Sequence, residues 1–497
     1  MKARLAPVLI LSLLLFTSAG AQAAQGPEAP DNPTAQENTL PGTTRWDLTP
    51  PDKPAIEGYA SESSAAPGRA FHLHVRAGRP GDRYRVLVYR LGWYDGDGGR
   101  LLECLPTCES DKPFVPQPAA PRPDPATGLV NAGWGETDIV PVAAGWVSGY
   151  YVAQLRVTAG PDEGALGRIP LVVRAAPGDH AAVLAQVPVN TWQAYNPWGG
   201  KSLYTYNSTN EEAAVKVSFD RPYAEEVQVK PAYAVELQAV RFLEREGYDV
   251  SYATDVDVDR SPGLLMNHRL VMSIGHDEYW SGRQRTAFDR ALDHSTNLAA
   301  MGANAAYWQV RFEDSHRTLV SYRSPGADPV KDTGARTTQF RSLKPGRPEC
   351  RLFGVMYQYN AQRWAGAPPT SYALAAPAGD PWLIGTGLTR RDDVPDLVGY
   401  EWDTLMPGCF PGRIDRLFGS VPLGVDGAPH PADAVRGTAR SGARVFASGS
   451  IEFAWGLDSY GGHAAGRRVQ VLMENAMDDL TRPAPPRPVS ATPGHAG

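Results

Sequence analysis

Leu270 to Trp280 reads L-V-M-S-I-G-H-D-E-Y-W. A strand-like apolar run stops at Gly275 and hands over to His276, Asp277, Glu278 and Tyr279, four groups able to bind a metal or move a proton. Open α/β sheets present such groups to ligands, because their crevices form outside the carboxyl ends of the strands. The stretch therefore predicts an α/β sheet whose site lies at its strand ends.

The neighbouring segments extend that pattern. Upstream, Ala182 to Val187 is a short apolar strand, followed by an aromatic loop from Asn190 to Tyr204. Tyr233 to Glu246 has helical spacing, with Val235, Leu237, Val240, Phe242 and Leu243 forming one apolar stripe that stops at Gly247. A strand over Asp249 to Ala253 precedes the opening stretch; a helix over about Ser281 to Asp293 and a strand over Asn297 to Met301 follow it. This β-α-β-α-β succession favours a mostly parallel sheet with right-handed crossovers. From His316 to Gly442 the pattern weakens into a Gly/Pro-rich region of the kind that carries function or hides short strands. A strand over Arg444 to Ser448 and a helix over Ala464 to Leu480 restore it, so residues 177–481 are assigned to one α/β domain.

The chain before residue 177 has another rhythm. Phe71, Leu73 and Val75 alternate with His72, His74 and Arg76, which marks a half-buried strand. Tyr84 to Leu91, Trp146 to Val157 and Ile169 to Val173 continue in that style, with a glycine-crowded turn at 92–99. Short strands separated by turns predict an Ig-like β-sandwich over residues 46–176. His72 and His74 fall on its polar face and are read as solvated rather than metal-binding. The aspartates of the 94–99 turn lack calcium-loop spacing and its closing glutamate, so the turn is read as structural.

Length and composition bound the rest. At 497 residues two or three domains are expected, and 42% hydrophobic with 21% charged residues describes a folded protein. A net charge of -6 gives no basic surface for nucleic acid. Met1 to Ala23 reads as a secretory signal peptide: Lys2 and Arg4 start it, Val8 to Phe16 form its apolar stretch, and Ala21-Gln22-Ala23 forms its cleavage site. No stretch reaches the roughly 20 apolar residues of a spanning helix, so the mature protein is expected to be soluble, secreted or periplasmic, with no membrane partner. Residues 24–45 read as a disordered leader and residues 482–497 as a disordered Pro/Ala-rich tail. In an oxidising compartment the four cysteines can pair, and Cys104 with Cys108 and Cys350 with Cys409 is the expected arrangement.

The chemistry is constrained by an absence. Nucleophile elbows in doubly wound hydrolases are written Gly-x-nucleophile-x-Gly, but the matching place here is Gly302-Ala303-Asn304-Ala305-Ala306, and asparagine cannot serve. Acyl-enzyme chemistry on Ser or Cys is therefore not expected. Tyr195, His276, Glu278 and Asn304, each just beyond an expected strand, offer oxygen and nitrogen ligands instead. His276 and Glu278 share a side if the chain stays extended past Gly275; read without a metal, the same turn caps the helix that follows. The loop 190–204, with Trp192, Gln193, Tyr195, Asn196, Trp198 and Tyr204, suits a small-molecule pocket, carbohydrate stacking or packing between domains.

Several motifs carry a resemblance: A-Y-N-P-W-G-G-K-S-L-Y, S-F-D-R-P-Y at Ser218 to Tyr223, G-H-D-E-Y-W, M-G-A-N, and G-Y-E-W-D at Gly399 to Asp403. With Y-R-L-G-W-Y and S-G-Y-Y in the first domain, the chain from Trp46 to Leu480 resembles the N,N-dimethylformamidase large-subunit family. The resemblance implies a glutamine-amidotransferase-like α/β fold and a mononuclear ferric iron held by two tyrosines and a glutamate beside a histidine. It also implies hydrolysis of a small linear amide. Carried over, Glu278 and Tyr195 are metal ligands and His276 the adjacent histidine. Tyr223 is taken as the second tyrosine, with Tyr204 and Tyr151 as the other fits. Asn304 would orient the substrate carbonyl, and Glu401 would activate water, with Glu452 as fallback. The family enzyme works with a small second subunit that this chain does not contain, and the reading leaves room for a homo-oligomer. Two rivals from other classes are a glycan-binding module built on the aromatic loop and a glycosidase using Glu278 and Glu401.

Overall fold

The computed structural model describes residues 32–48, 55–224, 235–361 and 370–482. The expected signal peptide and all but the first residue of the expected tail lie outside the described residues.

Ile56–Ala60, Ala70–Ala77 and Asp138–Pro141 form one antiparallel sheet. Gly99–Leu105, Arg83–Leu91, Gly149–Ala159 and Leu166–Val173 form a second in that order, with Lys112–Pro113 added to Arg83–Leu91. Phe71, Leu73 and Val75, the apolar members of the alternating stretch, meet Val86, Val88 and Leu155 between the two sheets. Each such side chain contributes about 1.5–3 kcal/mol of burial free energy, and the alternation is what makes these sheets face each other. The strand Gly149–Ala159 is buried on both sides, because Tyr150 and Val152 on its other face join the core of the following region.

That region is built on a nine-stranded sheet. Five strands are mutually parallel, in the order Val250–Thr254, Val183–Val187, Leu270–Ile274, Asn297–Met301 and Arg444–Ala447. Each of the first four is buried at every position, as strands covered on both faces must be. The expectation of a mostly parallel sheet holds for this half alone. Ala432–Ala439, Gly412–Ser420, Thr370–Leu374 and Asp393–Val398 continue the sheet antiparallel. These strands come largely from the weakly patterned Gly/Pro-rich region. The molecule is thus β-rich and mixed.

Two further expectations are corrected. Residues 32–48, mostly assigned to a disordered leader, are ordered: Pro33–Glu37 is a short helix capped by Asn32, and Arg45–Asp47 is a helical turn. Trp46 is buried against Gly98 and Gly99, where a methyl group on Gly99 would sit 2.5 Å from the indole. The segment read as a loop after Val187 begins with a helix, Val189–Tyr195, all buried except its last residue.

Arg90 and Glu244 tie the sandwich to the nine-stranded region. Both side chains are fully buried, and Arg90 donates from Nη1 and Nη2 to the two Glu244 oxygens at 2.8 and 2.9 Å. Glu244 also accepts from Tyr252 and from Asn38 of the N-terminal segment, at 3.0 and 2.7 Å. Disulfides join Cys104 to Cys108 and Cys350 to Cys409, the expected pairing.

Candidate functional site

The C-terminal ends of the parallel strands converge, and glycine lets them do so. Gly275 has φ 68°, and its N–H donates to Met301 O at 3.0 Å. A methyl group on Gly302 would lie 2.0 Å from the Gly275 carbonyl oxygen, so only glycine permits this approach. Beyond Gly302 the chain turns through Asn304 at φ 57°. The turn that follows Gly275 is clamped from the neighbouring helix: Thr191 Oγ accepts from Glu278 N at 3.0 Å, and Asn190 Nδ2 donates to Tyr279 O at 2.9 Å. Asp277 accepts from Gln186, Ser273 and Trp280 at 2.6, 2.8 and 2.7 Å, which fixes the turn from below.

Tyr195 stands at the end of the helix Val189–Tyr195. Pro197 to Gly200 then folds the chain back, with Gly199 and Gly200 at φ 74° and 87°, and Leu203 N donates to Ala194 O at 2.9 Å. The return places Tyr204 in a stack on Tyr195, ring centroids 4.2 Å apart. Their phenols reach Glu278: Tyr195 donates to Oε2 at 2.8 Å, Tyr204 donates to Oε2 at 3.0 Å, and the two phenol oxygens are 2.6 Å apart. Three oxygens thus form a triangle with edges of 2.6–3.0 Å. One face of an octahedron with metal–oxygen bonds of about 2.0–2.1 Å has edges of roughly 2.8–3.0 Å, so the set fits a small hard cation.

His276 Nε2 lies 3.4 Å from both Glu278 Oε2 and Glu401 Oε2. Neither contact is aligned as a hydrogen bond, and Nε2 has no hydrogen-bond partner among the described residues. Glu401 starts the strand Glu401–Leu405 and accepts from Asn304 Nδ2 at 2.9 Å, while Asp403 accepts from Asn304 N at 2.9 Å. The Asn304 side-chain oxygen is buried without a partner among the described residues. Tyr400 borders His276 across a 3.4 Å contact to Nδ1.

Electrostatics matches this geometry. Burial pushes the Tyr195 and Tyr204 phenols well above their usual range, and the charge of Glu278 adds to it. Burial also raises Glu278, with Glu401 adding to the rise and His276, Arg323 and Tyr195 opposing it. Burial alone would lower His276, but the carboxylates of Glu401 and Glu278 outweigh it and raise it. Among the described residues no group of three or more His, Cys, Asp or Glu could hold a metal, so a metal here would depend on the two phenols.

Five of the six residues singled out from the sequence therefore meet: Tyr195, Glu278, His276, Asn304 and Glu401. Tyr223 does not. It lines a small cavity with Tyr59, Glu62, Trp192 and Arg317, between the sandwich and the helix Val189–Tyr195. Its place beside Tyr195 is taken by Tyr204, which lies nine residues along the same fold-back. Tyr151 donates to Val147 O at 2.6 Å inside the sandwich, a structural corner. Glu452 is fully buried and adds to the raised pKa of the Tyr400 phenol, after burial and Glu401. Three residues given no role from the sequence also belong to the site: Tyr400, Asp403 and Arg323. Only the first two carried a signal, since they flank Glu401 in G-Y-E-W-D.

The family described as N,N-dimethylformamidase beta subunit-like, C-terminal, has a profile that matches residues 85–467. No curated protein matches the chain.

Proposed function

The chain belongs to the N,N-dimethylformamidase beta subunit-like family, and on that premise we propose that it hydrolyses the C–N bond of a small amide at the centre just described. The observation that carries this reading is the triangle of oxygens from Tyr195, Tyr204 and Glu278, with His276 placed between Glu278 and Glu401. Phenolate and carboxylate are hard donors and suit a ferric ion. Such an ion, held by Tyr195, Tyr204 and Glu278, supplies Lewis acidity to an amide carbonyl and to water.

The remaining steps belong to side chains. Glu401 takes a proton from the water that attacks the carbonyl and returns it to the departing amine nitrogen. Asn304 fixes the Glu401 carboxylate through Nδ2. Its unpartnered oxygen fits an N–H or O–H donor, so it orients the attacking water or the amine rather than the carbonyl. His276 supplies positive charge between the two carboxylates and holds them at a fixed separation.

The rivals are less well supported. Trp192 and Trp198 are buried, and Tyr195 and Tyr204 are committed to Glu278, so the aromatic loop offers no platform for a sugar. Glu278 Oε2 accepts from two phenols, an arrangement that suits holding a cation beside them better than attack on a sugar. The parallel half of the large sheet supports an amidotransferase-like reading of the region after residue 176. The two disulfides support export to an oxidising compartment. The family description, beta subunit-like, supports assembly with a second kind of chain. Elemental analysis of the purified protein tests the centre. Stoichiometric iron is expected in the wild type and in Cys104→Ala, and none in Glu278→Ala; a metal-free wild type overturns the reading.

A further inference from the structure

We infer that Arg323 and Tyr279 form a relay that positions Tyr204 and draws electron density from its oxygen, so that the two tyrosines of the centre are unequal donors. This rests on the ferric reading proposed above. Arg323 stacks its guanidinium on the Tyr204 ring, with Cζ 3.9 Å from the centroid, and lies 5.5 Å from the Trp308 ring. Its Nη2 donates to the Tyr279 phenol at 2.7 Å. Tyr279 in turn donates to the Tyr204 phenol oxygen at 2.7 Å. Tyr204 is therefore acted on twice, through its face by a cation and through its oxygen by a hydrogen bond.

Arg323 differs from the ion-paired arginines of the chain in having no carboxylate partner among the described residues. Arg90, Arg241, Arg311 and Arg317 each pair with a carboxylate. Among the described residues Arg323 forms no salt bridge, and its buried Nε has no hydrogen-bond partner. Its backbone is held at φ 58°, in the left-handed region that non-glycine residues seldom occupy. With no carboxylate in direct contact, its charge acts on the rings it touches as well as, at longer range, on Glu278. Among the described residues no guanidinium stacks on Tyr195, whose phenol takes the hydrogen bond from Tyr204 and passes it to Glu278.

The chemical consequence concerns the filled π orbital of the phenolate. A cation over the ring and a hydrogen bond to the oxygen both lower that orbital, so Tyr204 gives less density to a bound ferric ion than Tyr195 does. The ion stays a stronger Lewis acid, and the phenolate-to-iron charge-transfer band lies at higher energy. Arg323 is a positioning residue in this scheme and touches no reacting atom.

The test loads the full-length wild type, Tyr279→Phe, Arg323→Met and Arg323→Lys with ferric iron, then records iron content and the visible charge-transfer band. Both Tyr279→Phe and Arg323→Met are expected to move the band to longer wavelength, with Arg323→Lys between Arg323→Met and the wild type. Should Tyr279→Phe fail to fold, Arg323→Met decides, since it keeps a long unbranched side chain at that position while removing the charge over Tyr204. Iron lost from a folded Arg323→Met and regained in Arg323→Lys also supports the positioning role. Bands unmoved in both variants overturn the relay while leaving the centre intact. A wild type that binds no iron, or binds it without such a band, overturns the centre and the relay with it.

Discussion

Tyr204 reaches Tyr195 and Glu278 while Tyr223 lines a separate cavity, a difference that the sequence around the two does not announce. Tyr204 closes the motif A-Y-N-P-W-G-G-K-S-L-Y, and Tyr223 closes the distinctive S-F-D-R-P-Y stretch. The distinctive stretch owes its character to packing: Arg221 is fully buried and donates to Trp198 O, Lys201 O and Asn196 O at 3.1, 2.8 and 2.9 Å, which closes the fold-back that delivers Tyr204. Tyr204→Phe is accordingly expected to abolish iron binding and Tyr223→Phe to retain it, as measured by metal content; the opposite result would restore Tyr223 to the centre. Glu278, His276 and Asn304 were legible because each stands just beyond a strand that the sequence announces, whereas Glu401 was reached only through the resemblance carried by G-Y-E-W-D. Arg323 was not legible, since Ser321-Tyr322-Arg323-Ser324 has no pattern to set it apart. Asp403 gives a second residue-level prediction. Burial pushes its carboxyl up to about 7, far above an unfolded aspartate near about 3.9. The folded chain then holds a proton that the unfolded chain releases, so this group lowers stability as the pH rises from about 4 to about 7. Asp403→Asn keeps an acceptor for the Asn304 N–H and has no such dependence. Its Tm relative to the wild type should climb across that window and level off above it, and a pH-independent difference would contradict the buried proton.

At the scale of elements, the strands Leu270–Ile274 and Asn297–Met301 match the sequence reading to the residue. Apolar runs that stop at glycine leave little freedom for their ends. The helix Val189–Tyr195 was missed, because Asn190, Thr191 and Trp192 are poor helix formers and Pro188 stands where a polar cap would be expected. Tertiary bonds from Asn190 and Thr191 to the 278–279 backbone compensate. The antiparallel half of the large sheet was hidden by turns dense in Gly and Pro, which break periodicity before a strand declares itself. The join between strand ends yields a test. Gly302→Ala puts a methyl group against a backbone carbonyl and should cost at least about 2 kcal/mol. Gly263→Ala, where a methyl group meets nothing within 4 Å, should stay within about 0.5 kcal/mol of the wild type. Urea unfolding compares them, and equal midpoints would refute the close approach.

For the whole molecule, the sequence separates a sandwich from an α/β region, and the structure adds how closely the two are joined. The outer face of the sandwich strand Gly149–Ala159 and the helix Leu237–Arg245 share one core, with Arg90 and Glu244 inside it. No periodicity in either segment announces a pairing between residues so far apart. Removing one partner of a fully buried ion pair leaves an uncompensated charge, so Glu244→Ala is expected to cost about 3–5 kcal/mol, read from thermal or urea unfolding. A loss below about 1 kcal/mol would show that the pair is dispensable.

The ordered segment around Pro33–Glu37 has a consequence for synthesis. Asn32, Thr34 and Asn38 bond to Gly247, Val250 and Glu244, partners 215, 216 and 206 residues further along the chain. At about 5–20 residues per second, roughly 10–40 s pass between emergence of this segment and emergence of its partners. This segment can therefore dock only once its partners, 206 to 216 residues further on, have been made.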